Sequence, residues 1–401
     1  MKKWEVKKLE EICEFGNGLW TGKKPPFINV GVIRNTNFTK DCELDDSNIA
    51  YLDVEKSQFE KRKLLYGDIV LEKSGGGPKQ PVGRVVVFDK ENGNFSFSNF
   101  TSVIRIKDKN QIDFRYLHKY LFFIYGSGIT EKMQSRSTGI RNLKFDEYKK
   151  IEIPLPPLPT QQRIVALLDE TIAALNTVQA NAERNQVNAR EVFESTLQTS
   201  VAGKESKKWD LKKVGEIAEH SLGKMLDKAK NRGAYKKYLR NLNVRWFDFD
   251  LSDVAEMRFT DDESEKYTAI KGDLMICEGG YPGRAAIWEA DHPIYFQKAI
   301  HRVRFEKQVI AKWFLYFLYA SSLNGNLKQY TAGAGIQHFT GQALDRFEFP
   351  VPPLTEQRAI VKRLENISAE TKRLEEIYAQ KSAAVEELKK SVLQQAFEGE
   401  L

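Results

Sequence analysis

Residues 153–162 read IPLPPLPTQQ, and residues 349–357 read FPVPPLTEQ. An unusual proline phrase that occurs twice, each time ahead of a long amphipathic stretch, points to a tandem duplication. Pro154, Pro156, Pro157 and Leu158 correspond to Pro350, Pro352, Pro353 and Leu354 at an offset of 196. Ser195, Leu197, Gln198 and Gly203 match Ser391, Leu393, Gln394 and Gly399 at the same offset. Upstream, Trp4, Lys7, Lys8 and Ile12 match Trp209, Lys212, Lys213 and Ile217, and Gly67-Asp68 matches Gly272-Asp273, all at 205. Gly83-Arg84 matches Gly283-Arg284 at 200, so the second copy has shorter loops. The chain divides into a globular block (1–153), a hinge with a helix (154–205), a second block (206–349) and a second hinge with a helix (350–401). A PLPPLP stretch alone also suits an SH3-type ligand, but its recurrence ahead of the second helix favours an internal hinge.

The stretches behind the hinges carry apolar residues on alternating steps of four and three, the seam of a coiled coil. Packing is expected from Ile164, Leu168, Leu175 and Val178, and from Ile360, Leu364, Ile367, Leu374, Val385 and Leu388. The first seam continues through Ala182, Asn185, Ala189 and Val192. Thr160 and Thr355 are the expected N-caps. A helix of about 40 residues spans about 60 Å and needs a partner for its apolar face. The other helix supplies one if the two run antiparallel, which would bring Gly399 back beside Trp4.

Charge separates the blocks from the helices. The net charge of +7 resolves into +6 for 1–153, −2 for 154–205, +4 for 206–349 and −1 for 350–401. An acidic ligand would therefore bind the blocks. No apolar run reaches the length of a membrane span, and no apolar core follows the basic start MKKWEVKKLEE, so no signal peptide is expected. Cys13, Cys42 and Cys277 are odd in number and far apart, which argues against a disulfide framework or a zinc site and fits a reducing cytoplasm.

Motifs for chemistry are missing. Gly-Lys is never followed by Ser or Thr as a P-loop requires. Phe15-Gly16-Asn17-Gly18 reads as a turn after a short helix rather than a cofactor loop, and the five histidines lack metal-ligand spacing. Three segments suit an acidic partner. The first is a pair of glycine loops between strands, 67–89 and 272–291, offering Lys73, Lys79, Gln80 and Arg84, and Tyr281 and Arg284. Arg84 and Arg284 match, so a framework role stands beside a ligand role. The second is SRSTGIRNLKF (135–145) with its counterpart TAGAGIQHFTG, offering Arg136, Thr138 and Arg141, and Gln337 and His338; a loop that caps the helix base is the alternative. The third is a basic run, Lys228, Lys230, Arg232, Lys236, Lys237 and Arg240, interleaved with Tyr235 and Tyr238; a solvated helix face is the alternative.

The layout resembles a specificity (S) subunit of a type I restriction-modification system. The resemblance spans the chain and rests on the PPLPTQQR and PPLTEQR hinges, the helices behind them, the Gly-Asp strand starts and the openings at Trp4 and Trp209. It implies an α+β chain: two similar mixed α/β target recognition domains separated by two long antiparallel coiled-coil helices, a pseudo-two-fold tandem duplication. It further implies that each domain reads one half of a bipartite site in double-stranded DNA, and that the helices dock two modification (M) subunits. Restriction (R) subunits join through the complex. No cofactor is expected in this chain; S-adenosylmethionine, ATP and Mg2+ fall to the partner subunits, and no membrane is involved. The chain is then a non-catalytic recognition subunit. A self-sufficient DNA methyltransferase and a non-DNA coiled-coil scaffold are the competing readings.

Overall fold

The structure, a computed structural model, describes residues 4–19, 21–77, 80–137, 140–202, 209–227, 229–333 and 337–400, with the backbone alone at 136–137. It divides into two compact units: residues 1–183 with 380–401, and residues 184–379. Each unit thus holds one block together with part of each long helix.

In the first unit an antiparallel sheet runs in the order Cys13–Asn17, Thr101–Ile106, Ile69–Glu72, Val85–Val87. The FGNG stretch therefore lies largely in a strand, not in a turn. A second sheet pairs Phe27–Ile33 antiparallel with Ala50–Glu55 and parallel with Phe95–Phe97. Helix α1 (Phe114–Gly126) buries Tyr116, Leu117, Leu121 and Ile124 in the core, and the Asp113 carboxylate caps it by accepting from the Arg115 and Tyr116 amides. Helix α2 (Leu158–Ala202) follows.

The second unit repeats this plan. Its main sheet runs Ala218–Leu222, Ile300–Phe305, Leu274–Cys277, Ala285–Ile287. Ala234–Leu239 pairs antiparallel with Ala255–Phe259 and parallel with Ile294–Phe296. Helix α3 (Ala311–Leu323) packs its Trp313, Phe314 and Leu318 into the core, and helix α4 (Leu354–Glu398) follows. The Gly-Asp pairs are frame residues in both copies. Gly67 (φ 87°) and Gly272 (φ 95°) adopt left-handed turns that glycine tolerates. The Asp68 carboxylate then accepts from the Leu65 amide and Arg105, as Asp273 does from the Ile270 amide and Arg304.

The proline phrase enters each long helix from a paired strand. Glu152–Leu155 pairs with Glu5–Lys8, and Glu348–Val351 with Asp210–Lys213, each in a two-stranded sheet where the proline lacking an N–H sits on an edge. The Tyr116 hydroxyl donates to the Pro154 carbonyl (2.8 Å), and the Trp313 indole donates to the Pro350 carbonyl (2.9 Å). Neither threonine is the N-cap. Helix α2 begins at Leu158, so its first turn includes both Pro159 and Thr160; Pro159 is accommodated because first-turn amides need no helical acceptor. The residue that fastens the junction is the glutamine. Gln161, fully buried, donates to the Pro156 (2.8 Å) and Gln111 (2.9 Å) carbonyls and accepts from the Asp113 amide (2.9 Å). Gln357 repeats all three bonds with Pro352, Gln308 and Ile310.

Within the first unit, Ile164, Val165 and Leu168 of α2 share a core with Leu393, Ala396 and Phe397 of α4. Within the second, Phe193, Leu197 and Val201 share one with Val361 and Leu364. The start of one helix thus meets the end of the other in both units, as antiparallel pairing requires. Trp4 lies against Gly399, as expected from the closure. The seam itself departs from expectation by one residue in places. Leu168, Leu175, Ala182 and Ala189 hold, but Val178 is 47% exposed and Val192 is 61% exposed, while Gln179 and Phe193 turn inward. Leu388 is 49% exposed, and the seam passes through Lys389. A repeat anchored every seventh residue leaves two choices for its second position, and Phe193 buries more surface than Val192.

Substituting Gln161→Ala leaves a buried amide and two carbonyls without partners. We expect a loss of about 2 kcal/mol, read as a lower urea midpoint, with Gln357→Ala costing a similar amount.

Candidate nucleic-acid interface

The two segments singled out in each copy meet in space. In the first unit the glycine loop is closed at its base by the Glu72 amide donating to Arg84 (2.8 Å) and the Gly83 amide donating to Glu72 (3.0 Å). Its near limb, Ser74–Gly76, pairs with Ile140–Leu143, which pairs with Gln134–Ser137. A three-stranded sheet therefore carries both candidate segments, tied by a Ser74–Asn142 side-chain hydrogen bond. The register sets Arg136 opposite Arg141 and Arg141 opposite Gly76. Lys73 donates to Asn17 (3.0 Å), and partial burial lowers its pKa. Gln80 is exposed. Lys79, Thr138 and the Arg136 side chain lie outside the described residues.

Arg84 requires a correction. It is 6% exposed, forms two bonds to the Glu72 carboxylate (2.8 and 2.9 Å) and donates to the carbonyls of Phe38 (2.6 Å) and Asn35 (3.1 Å). Every direction of its guanidinium fork points into the protein, so it braces the loop and reaches no ligand.

In the second unit the same closure joins the Cys277 amide to Arg284 (2.8 Å) and the Gly283 amide to Cys277 (2.9 Å). Here Arg284 is half-buried, donates to the Asn241 carbonyl (2.9 Å) and stacks 3.8 Å from the centroid of Tyr281, which is exposed. The 331–341 segment joins through His338, which bridges Gly279 and Ala332, and through the Phe339 amide, which donates to Glu278 (2.7 Å). Gln337 and His338 are both exposed.

The basic run is not a helix face. Residues 234–239 form a strand, so side chains alternate. Tyr235 and Lys237 face outward, with Arg258 across from Tyr235 at 5.1 Å from its ring, whereas Tyr238 is buried. Lys236 is half-buried, and Arg240 is held by Asp253 (2.8 Å), which removes it from the free cations. Lys230 and Arg232 are exposed, and Lys228 lies outside the described residues.

One repeated motif escaped the sequence reading: Arg34-Asn35-Thr36-Asn37 and Arg240-Asn241-Leu242-Asn243. Buried Asn37 accepts from the Arg34 amide (3.0 Å) and donates to the Asp45 and Asn48 carbonyls (3.1 Å each). Asn243 does the same with Arg240, Asp250 and Asp253. The Asn241 amide donates to Gly279 (3.0 Å), and a Cβ at Gly75 would stand 2.8 Å from the Asn35 amide nitrogen. The motif thus presses a turn onto each glycine loop, and Gly75 and Gly280, whose added Cβ would stand 2.8 and 2.5 Å from the Asn35 and Asn241 side-chain nitrogens, leave room for it. The signal was two asparagines at the same spacing after a β-branched or aromatic strand.

The type I restriction modification DNA specificity domain matches twice, over residues 1–189 and 206–381. The chain belongs to that family. This specificity subunit is 26% identical to the EcoKI specificity subunit of Escherichia coli strain K12, over 94% of this chain and 82% of that protein. It is 23% identical to the MjaVIII specificity subunit of Methanocaldococcus jannaschii, over 75% of this chain and 73% of that protein. The fold resembles the solved HsdS subunit from Thermoanaerobacter tengcongensis, with a TM-score of 0.64 and 18% identity over 100% of this chain and 98% of that one. A chain solved in work on complex assembly and conformational transition of the type I R-M system has a TM-score of 0.79 and 17% identity, over 100% of this chain and 99% of that one. Among the described residues of the specificity subunit, no helix is long and apolar enough to cross a membrane.

Two buried histidines give this subunit an acid limit. Burial lowers His118 and His301 to about 4 from the ordinary 6.5. The unfolded chain takes up these protons first, so stability is full above about 6.5 and falls as the pH drops towards 4. Urea midpoints measured across that window should decline, and His118→Gln with His301→Gln should flatten the decline. Arg84→Ala strands the Glu72 carboxylate and should cost about 3–5 kcal/mol while leaving the salt dependence of DNA binding unchanged.

Proposed function

We propose that each unit reads one half of an asymmetric bipartite site in double-stranded DNA, and that the paired helices fix the spacing between the halves. Two modification subunits dock on the helices, and restriction subunits join through them. The methyl donor, ATP and Mg2+ are held by those partners in the cytoplasm. The observation that carries this reading is the contrast between frame and loops. Both units share the Gly-Asp turn, the closed glycine loop and the buried glutamine. Their loop side chains differ: a polar hairpin with Arg141 in one, and Tyr281, Gln337 and His338 in the other. One frame with two sets of exposed groups suits two different base sequences.

Mapping of methylated bases by the reconstituted complex tests the proposal. A gapped motif with two unlike halves is expected; an ungapped or absent motif overturns it. If each unit neutralises about four phosphates, log K should fall with log salt at a slope near −7. One extra base pair between the halves shifts them by about 3.4 Å and about 35°, so methylation should drop sharply. A heptad inserted into both helices adds about 10 Å and should move the preferred spacer.

A further inference from the structure

The two glycine loops share a closure, and in both the arginine donates to the equivalent asparagine carbonyl, Asn35 or Asn241, but its remaining partners differ. Glu72 and Cys277 occupy equivalent places: each amide donates to the arginine carbonyl, and each carbonyl accepts from the preceding glycine. In the first unit Glu72 draws the Arg84 guanidinium inward, where it is fully bonded. In the second, Cys277 is a buried thiol that offers no carboxylate. Arg284 lies beside that thiol, donates to the Asn241 carbonyl (2.9 Å) and sets its face 3.8 Å from the centroid of Tyr281.

We infer that Tyr281 contacts base edges and determines specificity for the half-site read by the second unit, and that Arg284 is its positioning residue rather than a phosphate ligand. This rests on the DNA reading above. Tyr281 is 59% exposed although one face of its ring is covered by the guanidinium, so the rest of the ring and the hydroxyl point to water. The loop beneath it is closely packed. Gly280 (φ 77°) and Gly283 (φ 83°) hold left-handed backbone, and a Cβ at Gly283 would stand 2.3 Å from Leu327. Gly279 lies against the His338 ring, which brings the other exposed candidates to the same rim. A stacked tyrosine loses little entropy on binding, and it offers an apolar edge and a hydroxyl to bases in a groove. Arg284 has already committed its Nη2 to a carbonyl and its planar face to the ring, an arrangement a lysine does not reproduce.

The test reconstitutes the full chain with its modification subunits and maps methylated motifs for the wild type, Tyr281→Ala, Arg284→Ala and Arg284→Lys. A gapped motif from the wild type upholds the DNA reading on its own; without one, that reading and this inference both fail. We expect Tyr281→Ala to lose discrimination about tenfold at one or two positions of one half, with the other half unchanged. Arg284→Ala and Arg284→Lys should both reproduce that pattern, with the wild-type salt slope retained. Unchanged stringency at every position in Tyr281→Ala overturns the inference. So does an Arg284→Lys complex that behaves as wild type while Arg284→Ala flattens the salt slope by about one, which would mark a phosphate contact.

Discussion

A carboxamide buried at the root of each long helix organises the molecule. Gln161 and Gln357 are fully buried, and each satisfies a helix-start carbonyl, a loop carbonyl and the amide that opens or precedes the short core helix. An amide group suits this place because it donates and accepts at once without carrying a charge that burial would penalise. The strand before it is pinned by an aromatic donor, Tyr116 or Trp313. Strand, helix and core are therefore joined at one point in each unit, and the direction in which a long helix leaves its block is set by hydrogen bonds as well as packing.

From that root outward, the two copies diverge in a graded way. Bonds next to the glutamine are the same in both units. The Gly-Asp turn and its arginine partner are the same one layer further out. At the glycine loop the closure is kept while Glu72 gives way to Cys277, and at the rim a paired hairpin is replaced by the bridges of His338. Interior positions answer to packing density and hydrogen-bond satisfaction, whereas rim positions answer only to what they touch outside.

The same gradient governs what was legible in the sequence. The duplication, the strand–loop–strand segments, the long helices and the closure of Trp4 against Gly399 were readable because they depend on period, proline and glycine. Val178 and Val192 misled because an apolar residue beside a seam looks like one within it; only the partner helix decides. Thr160 misled because Pro159 is acceptable inside a first turn. The basic run around Tyr235 does not read as a strand because its lysines hide the alternation that its buried Tyr238 reveals. Arg84 and Arg284 were indistinguishable by type, since their fates turn on a residue seven or more positions away, across the loop. The Arg-Asn-x-Asn turn is legible as a repeat at an offset of 206.

The first unit's core is assembled from segments far apart in the sequence. Phe397 packs against Tyr116, Tyr120 and Phe123, with ring centroids 5.6, 5.0 and 5.6 Å apart. Nearly three hundred residues are made between those partners, at about 5–20 residues per second. During synthesis the earlier of these segments must wait for the later one. Until residue 397 emerges from the ribosome, Tyr116, Tyr120 and Phe123 lack the ring that completes their cluster.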